Sequence, residues 1–381
     1  MVEGTVIRSH AGGYLVYVAE LGGIVQASAR GRIKKEGLSI LTGDRVSLEE
    51  IDTELKTAVI TIRLERFNEL SRPPVANVDQ VIIVQAVNRK EWNQLVLDRY
   101  IVHFQLELGS CQPVICLNKC DLATADEIAP LQKLYQDLGY CVLVVSAKTG
   151  HGIDDLFKAL AGKVSAFAGQ SGVGKSSLLN CLSPGLKVKV DERREFYGFG
   201  RQTTTASELY EIELPENIQI PADIADRHIQ ATALDKKACW IADTPGFNLA
   251  EFNKPEPAMV AWQFPEIIPL AEKCRFSNCQ HLVEDGCQVL ASLDKIDTKR
   301  YESYKIIMAE SIESEAYRRS SSQKAEAKVK TVGGDAKGKQ VPRLKRRYRV
   351  ESRRSQVQEL SNIDEEDTDD EDQNEENSSE E

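Results

Sequence analysis

The chain has no run approaching the roughly 20 consecutive apolar residues that a membrane-spanning helix needs, so no membrane association is expected. Its first ten residues, MVEGTVIRSH, lack both the apolar core of a secretion signal and the Arg-rich amphipathic start of an organelle-targeting segment. The protein is therefore read as cytoplasmic. It lacks an evident internal repeat, which excludes solenoids and propellers. It also lacks any strong oligomer signal, and a monomer is expected. The last 18 residues, Asp364 to Glu381, contain 12 acids and no base. The formal charge of −11 is thus a property of the tail, and the remainder carries +1. Just upstream, Lys337 to Arg354 hold nine basic residues and one acid. An acidic pI of this origin does not argue against a nucleic-acid partner, because blocks of like charge are commonly solvated tails.

What is present fits an ordinary globular protein of two or three domains: 381 residues, 41% hydrophobic and 28% charged. Six of the nine cysteines are scattered (Cys111, Cys116, Cys120, Cys141, Cys181 and Cys239). Several lie in apolar runs, where the thiol acts as a small hydrophobe, and no disulfides are expected in a reducing compartment.

Residues 1–70 read as β. Alternating runs at Gly4–Ile7, Tyr14–Val18, Gly23–Ser28, Arg45–Glu49 and Ala58–Leu64 are punctuated by Gly12-Gly13, Gly22-Gly23 and Gly43-Asp44. Five such strands suit a small closed barrel of the OB type; an SH3-like barrel or a simple meander remains open. Leu70 to Val75 (LSRPPV) reads as a linker. From there the rhythm changes. Val81–Val87 is a near-continuous apolar run, as in a parallel strand covered on both faces, and strands then alternate with helices to about residue 250. That implies a parallel α/β sheet. Residues 251–319 read as a helical domain, with Tyr301, Tyr304, Met308 and Ile312 on one stripe, and 320–381 as a disordered basic, then acidic, tail.

Gly169 to Ser176 reads GQSGVGKS, between an apolar stretch and a helical run, and matches G-x-x-x-x-G-K-[ST]. Here Gly169, Gln170, Ser171, Gly172, Val173 and Gly174 form a loop whose backbone N–H groups can cradle phosphate oxygens at a helix N-terminus. Lys175 is positioned to reach the β/γ-phosphates, the Ser176 hydroxyl to ligate Mg²⁺, and Ser177 to continue the first turn. Asn118-Lys119-Cys120-Asp121, after a buried strand, is the N-K-x-D pattern of GTPases. The Asp121 carboxylate can accept both N1–H and N2–H₂ of guanine, whereas adenine would leave it unpaired, at a cost. Asn118 would brace the loop and Lys119 cover the base face. Ser146-Ala147-Lys148 supplies the matching SAK segment, with the Ala147 N–H toward O6.

Asp243-Thr244-Pro245-Gly246 ends another apolar strand; Asp243 would hold Mg²⁺ through water, and the Gly246 N–H would sense the γ-phosphate. Thr203-Thr204-Thr205 is the switch I candidate, with Thr204 as the favoured Mg²⁺ ligand, unless it is only a surface loop. The order of motifs is the informative fact: NKCD, SAK, phosphate loop, TTT, DTPG. Ordinary GTPases start at the phosphate loop, so this arrangement is a circular permutation that leads switch II straight into the C-terminal domain. Finally, Cys274, Cys279, His281 and Cys287 supply three thiolates and an imidazole within 14 residues. That set suits one closed, structural, tetrahedral Zn²⁺, with a coincidental or redox cluster as the alternative.

Together, PVANVDQV (Pro74–Val81), LDRY (Leu97–Tyr100), NKCD, SAKTG, GQSGVGKSSLLN, TTTASELY, DTPGF and the Cys₃His spacing resemble the RsgA (YjeQ) family of small-ribosomal-subunit biogenesis GTPases over residues 1–318. The resemblance implies a multidomain α/β protein with an N-terminal OB barrel (1–70), a circularly permuted P-loop GTPase domain (71–250) and a helical zinc domain (251–319). It also implies GTP/GDP as ligands, GTP hydrolysis stimulated by the small (30S) subunit, and action on its rRNA late in assembly. The family's histidine before the threonines is Gln202 here. We hypothesise that its amide orients the attacking water; wild-type single-turnover hydrolysis by Gln202→Ala on the subunit would remove the idea. Leu214–Asp235 is longer than the family's hairpin and reads as a surface insertion. Arg343–Arg354 either adds salt-sensitive phosphate contacts or is inert. Two rival functions stand beside this reading: a permuted GTPase of large-subunit assembly, disfavoured by the barrel and zinc site, and an RNA-binding protein that uses GTP only structurally.

Overall fold

The computed structural model describes residues 2–10, 12–31, 33, 38–71, 74–88, 90–109, 113–183, 207–216, 218, 234, 238–243, 254–326, 329–332 and 339–342. Its first five strands are β1 (Val2–His10), β2 (Gly13–Val18), β3 (Gly23–Ala29), β4 (Arg45–Asp52) and β5 (Thr57–Arg63). They pair in the order β1-β2-β3-β5-β4, and β4 returns to β1 to close the ring. A meander would pair β3 with β4; instead β3 lies parallel to β5. This is the five-stranded Greek-key closure of an OB barrel. Strand alternation turns Val6, Val16, Val25, Val46, Leu48 and Ile60 into its interior.

The segment read as a linker is structured. β6 (Glu69–Ser71) and β7 (Pro74–Ala76) form an antiparallel pair, and Leu70 and Val75 are fully buried. Pro74 opens its strand, where a missing N–H is tolerated. The barrel is bonded to this pair: Ala76 N–H donates to Thr42 O at 2.8 Å and the Asn77 amide donates to Gly43 O at 2.9 Å. Gly43 has φ +90°, and a Cβ there would stand 2.0 Å from Ala76 O. Only glycine permits the approach. Local composition read Pro and Ser as slack; burial of the two aliphatics decides otherwise.

Beyond it come β8 (Gln80–Ala86), α1 (Gln94–Leu108), β9 (Val114–Asn118), α2 (Ala125–Asp137), β10 (Val142–Val144), α3 (Ile153–Leu160), β11 (Val164–Ala168), α4 (Lys175–Leu182), β12 (Glu208–Glu213) and β13 (Ala238–Asp243). The sheet order is β10-β9-β8-β11-β13-β12, with the first five parallel and β12 antiparallel to β13. β8 is buried along its whole length. Its odd residues Val81 and Ile83 face a core with Leu97, Tyr100 and Phe104 of α1. Its even residues Ile82 and Val84 face Leu156 and Leu160 of α3 and Leu178 of α4. Helices thus cover both faces, and the winding reverses between β8 and β11. The same sheet runs on into the barrel through β12 and β1: Arg8 pairs with Glu208, and Glu208 pairs on its other side with Asp243. Two points of the expected surface insertion, Ile218 and Leu234, are buried, one in each core; most of that segment lies outside the described residues.

The region from residue 254 is largely helical at its two ends: short helices α5 (Pro257–Val260) and α6 (Ile268–Ala271) precede the long α7 (Thr298–Glu326). Residues between α6 and α7 are mostly turns, because the Cys and His positions need a folded-back chain; His281 itself has φ +58°. The aromatic stripe packs as read, with Tyr304 and Met308 buried in a core with Phe264 and Ile267, and Tyr301 and Ile312 against it. From Ala316 the chain forms a second compact unit. There α7 continues past the expected boundary at 319 to Glu326, on helix formers such as Gln323, Lys324, Ala325 and Glu326. β14 (Val329–Val332) then pairs with β15 (Lys339–Pro342). Arg343–Arg354 and the acidic end lie outside the described residues. Among the described residues, no helix is long and apolar enough to cross a membrane.

Candidate nucleotide site and metal centre

The carboxyl ends of the parallel strands carry the motifs. β9 ends in Asn118, β10 leads to Ser146, β11 runs into the loop from Gly169, and β13 ends in Asp243. A crevice outside these ends, at the point where strand order reverses, is where open α/β sheets bind ligands. The Asn118 side chain, 1% exposed, ties three loops together. Its amide donates to Val173 O in the phosphate loop at 2.8 Å, and its oxygen accepts the Ala147 N–H at 3.3 Å. Gly174, with φ +100°, starts α4; a Cβ there would stand 2.3 Å from the Asn118 amide nitrogen. The Ser146 hydroxyl donates to the Asp121 carboxylate at 2.6 Å and accepts the Thr149 N–H at 3.2 Å. The Cys181 thiol of α4 donates to Ala147 O at 3.0 Å. Lys148 is exposed.

In the phosphate loop Gly169 and Val173 are buried, while Gln170, Ser171, Gly172, Ser176 and Ser177 are exposed. The Lys175 ammonium donates to Gly169 O at 2.6 Å and Gln170 O at 2.8 Å. Burial pulls its pKa below the ordinary lysine value. The loop therefore sets a half-buried cation at the N-terminus of α4, an arrangement suited to a polyanion. Lys119 has a left-handed backbone (φ 62°, ψ 36°), and its ammonium meets both Glu91 carboxylate oxygens at 2.9 and 2.8 Å. The bond to Lys119, with a second from Asn88, holds Glu91 below the usual carboxylate range.

The structure thus brings together Asn118, Lys119, Cys120 and Asp121, Ser146 to Lys148, and Gly169 to Ser177. Asp243 is described only as the backbone end of β13, one residue beyond the Ala166–Ala242 pair. Gln202, Thr204 and Gly246 lie outside the described residues.

Cys274, Cys279, His281 and Cys287 converge, their ligand atoms all within 4.8 Å of one another. Cys274 Sγ and Cys287 Sγ are 3.9 Å apart, and each is 3.5 Å from His281 Nδ1. A zinc tetrahedron with bonds of about 2.3 Å to sulfur and about 2.0–2.1 Å to nitrogen sets those separations at about 3.8 and 3.5 Å. The donor set and spacing fit zinc. The N–H groups of Gln288 and Leu290 point at Cys274 Sγ and Cys287 Sγ, the support thiolate ligands use. Glu284 accepts the N–H groups of Gln280, Leu282 and Val283; these bonds draw its pKa to about 2 against the opposing effect of burial. Tyr301 and Tyr304 of α7 donate to His281 O at 2.9 Å and Gln280 O at 2.7 Å.

Sequence reasoning missed two arrangements. One is Glu91. The other is Arg300, 1% exposed, which donates to Asp98 of α1 at 2.5 Å and to Glu266 at 2.8 Å, with its guanidinium 4.6 Å from the Phe264 ring centroid. Tyr135 of α2 donates to the same Asp98 oxygen at 2.8 Å. Asp98 among Leu97, Ile101 and Phe104 was the available signal: an acid on an apolar helix face needs a partner.

A family model described as RsgA GTPase matches residues 63–219, and one described as RsgA N-terminal domain matches residues 3–60. The chain is 36% identical to the small ribosomal subunit biogenesis GTPase RsgA of Caldanaerobacter subterraneus subsp. tengcongensis, over 83% of this chain and 98% of that one. To its namesake in Moorella thermoacetica it is 38% identical, over 82% and 98%. Among solved structures, YjeQ from Thermotoga maritima aligns with a TM-score of 0.65 at 32% identity, covering 82% of this chain and 98% of its own. YloQ, a circularly permuted GTPase, aligns with a TM-score of 0.63 at 29% identity, covering 82% and 96%.

Proposed function

Because this chain belongs to the RsgA family of circularly permuted GTPases, we propose that it binds GTP at the crevice above β8 and β11 and hydrolyses it in the service of small-subunit maturation. The observation that carries the site is the bond from Asn118 to Val173 O, which locks the base-reading loop to the phosphate loop. Asp121, aimed by Ser146, accepts the two donors of guanine's Watson–Crick edge. The Ala147 N–H, held only by a long bond to Asn118, turns to O6. Lys175 exchanges its two carbonyls for β- and γ-phosphate oxygens, and the N–H groups of Gly172 to Ser176 complete the cradle. Ser176 and Asp243 would hold Mg²⁺, which supplies neutralising charge at those oxygens. Water attacks the γ-phosphorus and the bond to the GDP oxygen breaks, so no side chain acts as a nucleophile. Gln202 orients that water, the Thr204 hydroxyl would join the Mg²⁺ ligands, the Gly246 N–H reads the γ-phosphate, and these three roles rest on sequence order.

The partner is the small ribosomal subunit and its rRNA, contacted through the barrel and the zinc module. The protein acts as a monomer in the cytoplasm, and hydrolysis releases it from the subunit. Zinc held by Cys274, Cys279, His281 and Cys287 gives a small module the cross-link its core alone does not supply. Calorimetry with GDP and ADP, and phosphate release with and without isolated small subunits, test the reading. Binding of GDP but not ADP, with release stimulated by subunits, is the expected result. Equal binding of both nucleotides, or no hydrolysis with subunits present, would overturn it.

A further inference from the structure

Asn118, Lys119 and Asp121 each reach with their side chains to another loop. Asn118 is tied to the phosphate loop and Asp121 to Ser146, both within motifs already assigned to the nucleotide. Lys119 alone pairs outside them, with Glu91, which belongs to none of the motifs above.

Glu91 is not a chance surface acid on a long arm. It sits in a tight turn after β8, one of the two strands at which the winding reverses. The Glu91 N–H donates to the Asn88 side-chain oxygen at 2.9 Å, and the Asn88 amide donates to a Glu91 carboxylate oxygen at 2.7 Å. Gln85, fully buried in β8, donates to Glu91 O at 3.1 Å. The Trp92 N–H closes the turn on Asn88 O at 2.9 Å. Backbone and carboxylate are thus both held by strand β8 and its exit.

We infer that Glu91 is a positioning residue for the nucleotide base: it anchors the Lys119 ammonium and thereby limits the freedom of the stem whose methylenes cover the purine face. The inference rests on the guanine-site reading above and adds a residue to it. The physical reason is rotamer entropy. A free lysine stem loses side-chain freedom when it is laid against a ligand. A stem already clamped by a bidentate carboxylate loses less, so the base binds tighter without a new contact to Glu91 itself. Because the pair is partly exposed, with side chains 26% and 40% accessible, the gain is modest and falls with salt.

The test is a double-mutant cycle on the full-length protein with GDP as the calorimetric ligand. Glu91→Gln is expected to weaken GDP about five-fold in the wild-type background. In a Lys119→Met background, where a stem remains without charge, it is expected to change affinity by less than about 1.5-fold. The loss should appear in KM for GTP and not in kcat, shrink at high salt, and be largely restored by Glu91→Asp. Equal losses in both backgrounds, or no loss in the wild type, overturn the inference. In either case wild-type preference for GDP over ADP leaves the guanine site standing. A wild type without that preference overturns the site and this inference together. Unchanged unfolding midpoints keep a folding defect from imitating the effect.

Discussion

The two regions that flank the nucleotide domain are fastened to it by different chemistry. The barrel is joined mainly by backbone: the Thr42–Val75 bridge, the Ala76–Thr42 bond and the β1–β12 pairing, with the Asn77 amide on Gly43 O and the Thr42 hydroxyl on Ser207 O beside them. The zinc module is joined by side chains: Arg300 to Asp98, Gln94 to Asp297, and Val102 of α1 within its core. The difference follows from what each region can supply. A closed barrel has strand edges and turns to offer, and it folds on its own apolar interior. The zinc module consists of turns, short helices and the long α7, whose backbone bonds are satisfied within the helix, so it docks through a buried charge and a few apolar contacts. A backbone seam is spread over many small terms, whereas a side-chain seam concentrates its energy in one residue.

The largest effect should come from the metal. A structural zinc of this class is worth on the order of 10 kcal/mol. Chelation should collapse hydrogen-exchange protection over 257–312 and leave the barrel strands protected; loss of protection in both would break the contrast. Next is Arg300→Met, which strands Asp98 in the core and should cost about 3–5 kcal/mol in chemical denaturation. A cost below about 1 kcal/mol would show that the seam does not depend on this residue.

The head of β8 responds to pH. Burial lifts the Asp79 carboxyl, at the head of β8, to about 6, with the bond from the Val164 N–H opposing the shift. Its folded-state pKa lies above the unfolded one, so the folded state binds the extra proton. The group therefore favours folding most at low pH, and its contribution declines as pH rises from about 4 to about 6. Asp79→Asn keeps an acceptor for Val164 without the charge. It should raise stability at pH 8 by up to about 3 kcal/mol and leave pH 4 nearly unchanged; an equal gain at both pH values would contradict the assignment. Smallest is Thr42→Val, which removes the hydroxyl that donates to Ser207 O at 2.7 Å. The expected cost is about 1 kcal/mol, read from thermal unfolding, as befits one strand of a distributed seam.

The same contrast separates what was legible in the chain from what was not. The phosphate loop, Asn118–Asp121, Ser146–Lys148 and the Cys₃His set could be read because each packs its chemistry into a short stretch whose spacing is itself the geometry. The barrel was legible through alternation of residues such as Val16 and Val18. Pairings between distant segments leave no local period. Asp98 and Arg300 lie 202 residues apart, and Glu91 meets Lys119 only because β8 and β9 are neighbours. The Pro74 segment misled for the opposite reason, since its local composition speaks of a turn while its two aliphatics are buried by contacts made elsewhere. Gln202, Thr204 and Gly246 remain assignments by motif order.

One row of the sheet ties two seemingly separate matters. Arg8 of the barrel, Glu208 of β12 and Asp243 of β13 stand side by side across three strands. The register that seats the barrel on β12 and the register of β12 on β13 thus meet at one residue, Glu208, while β13 is held from its other side by β11. Adding or deleting one residue in β12 would therefore shift the barrel's seat, while β11 keeps the end of β13 in place.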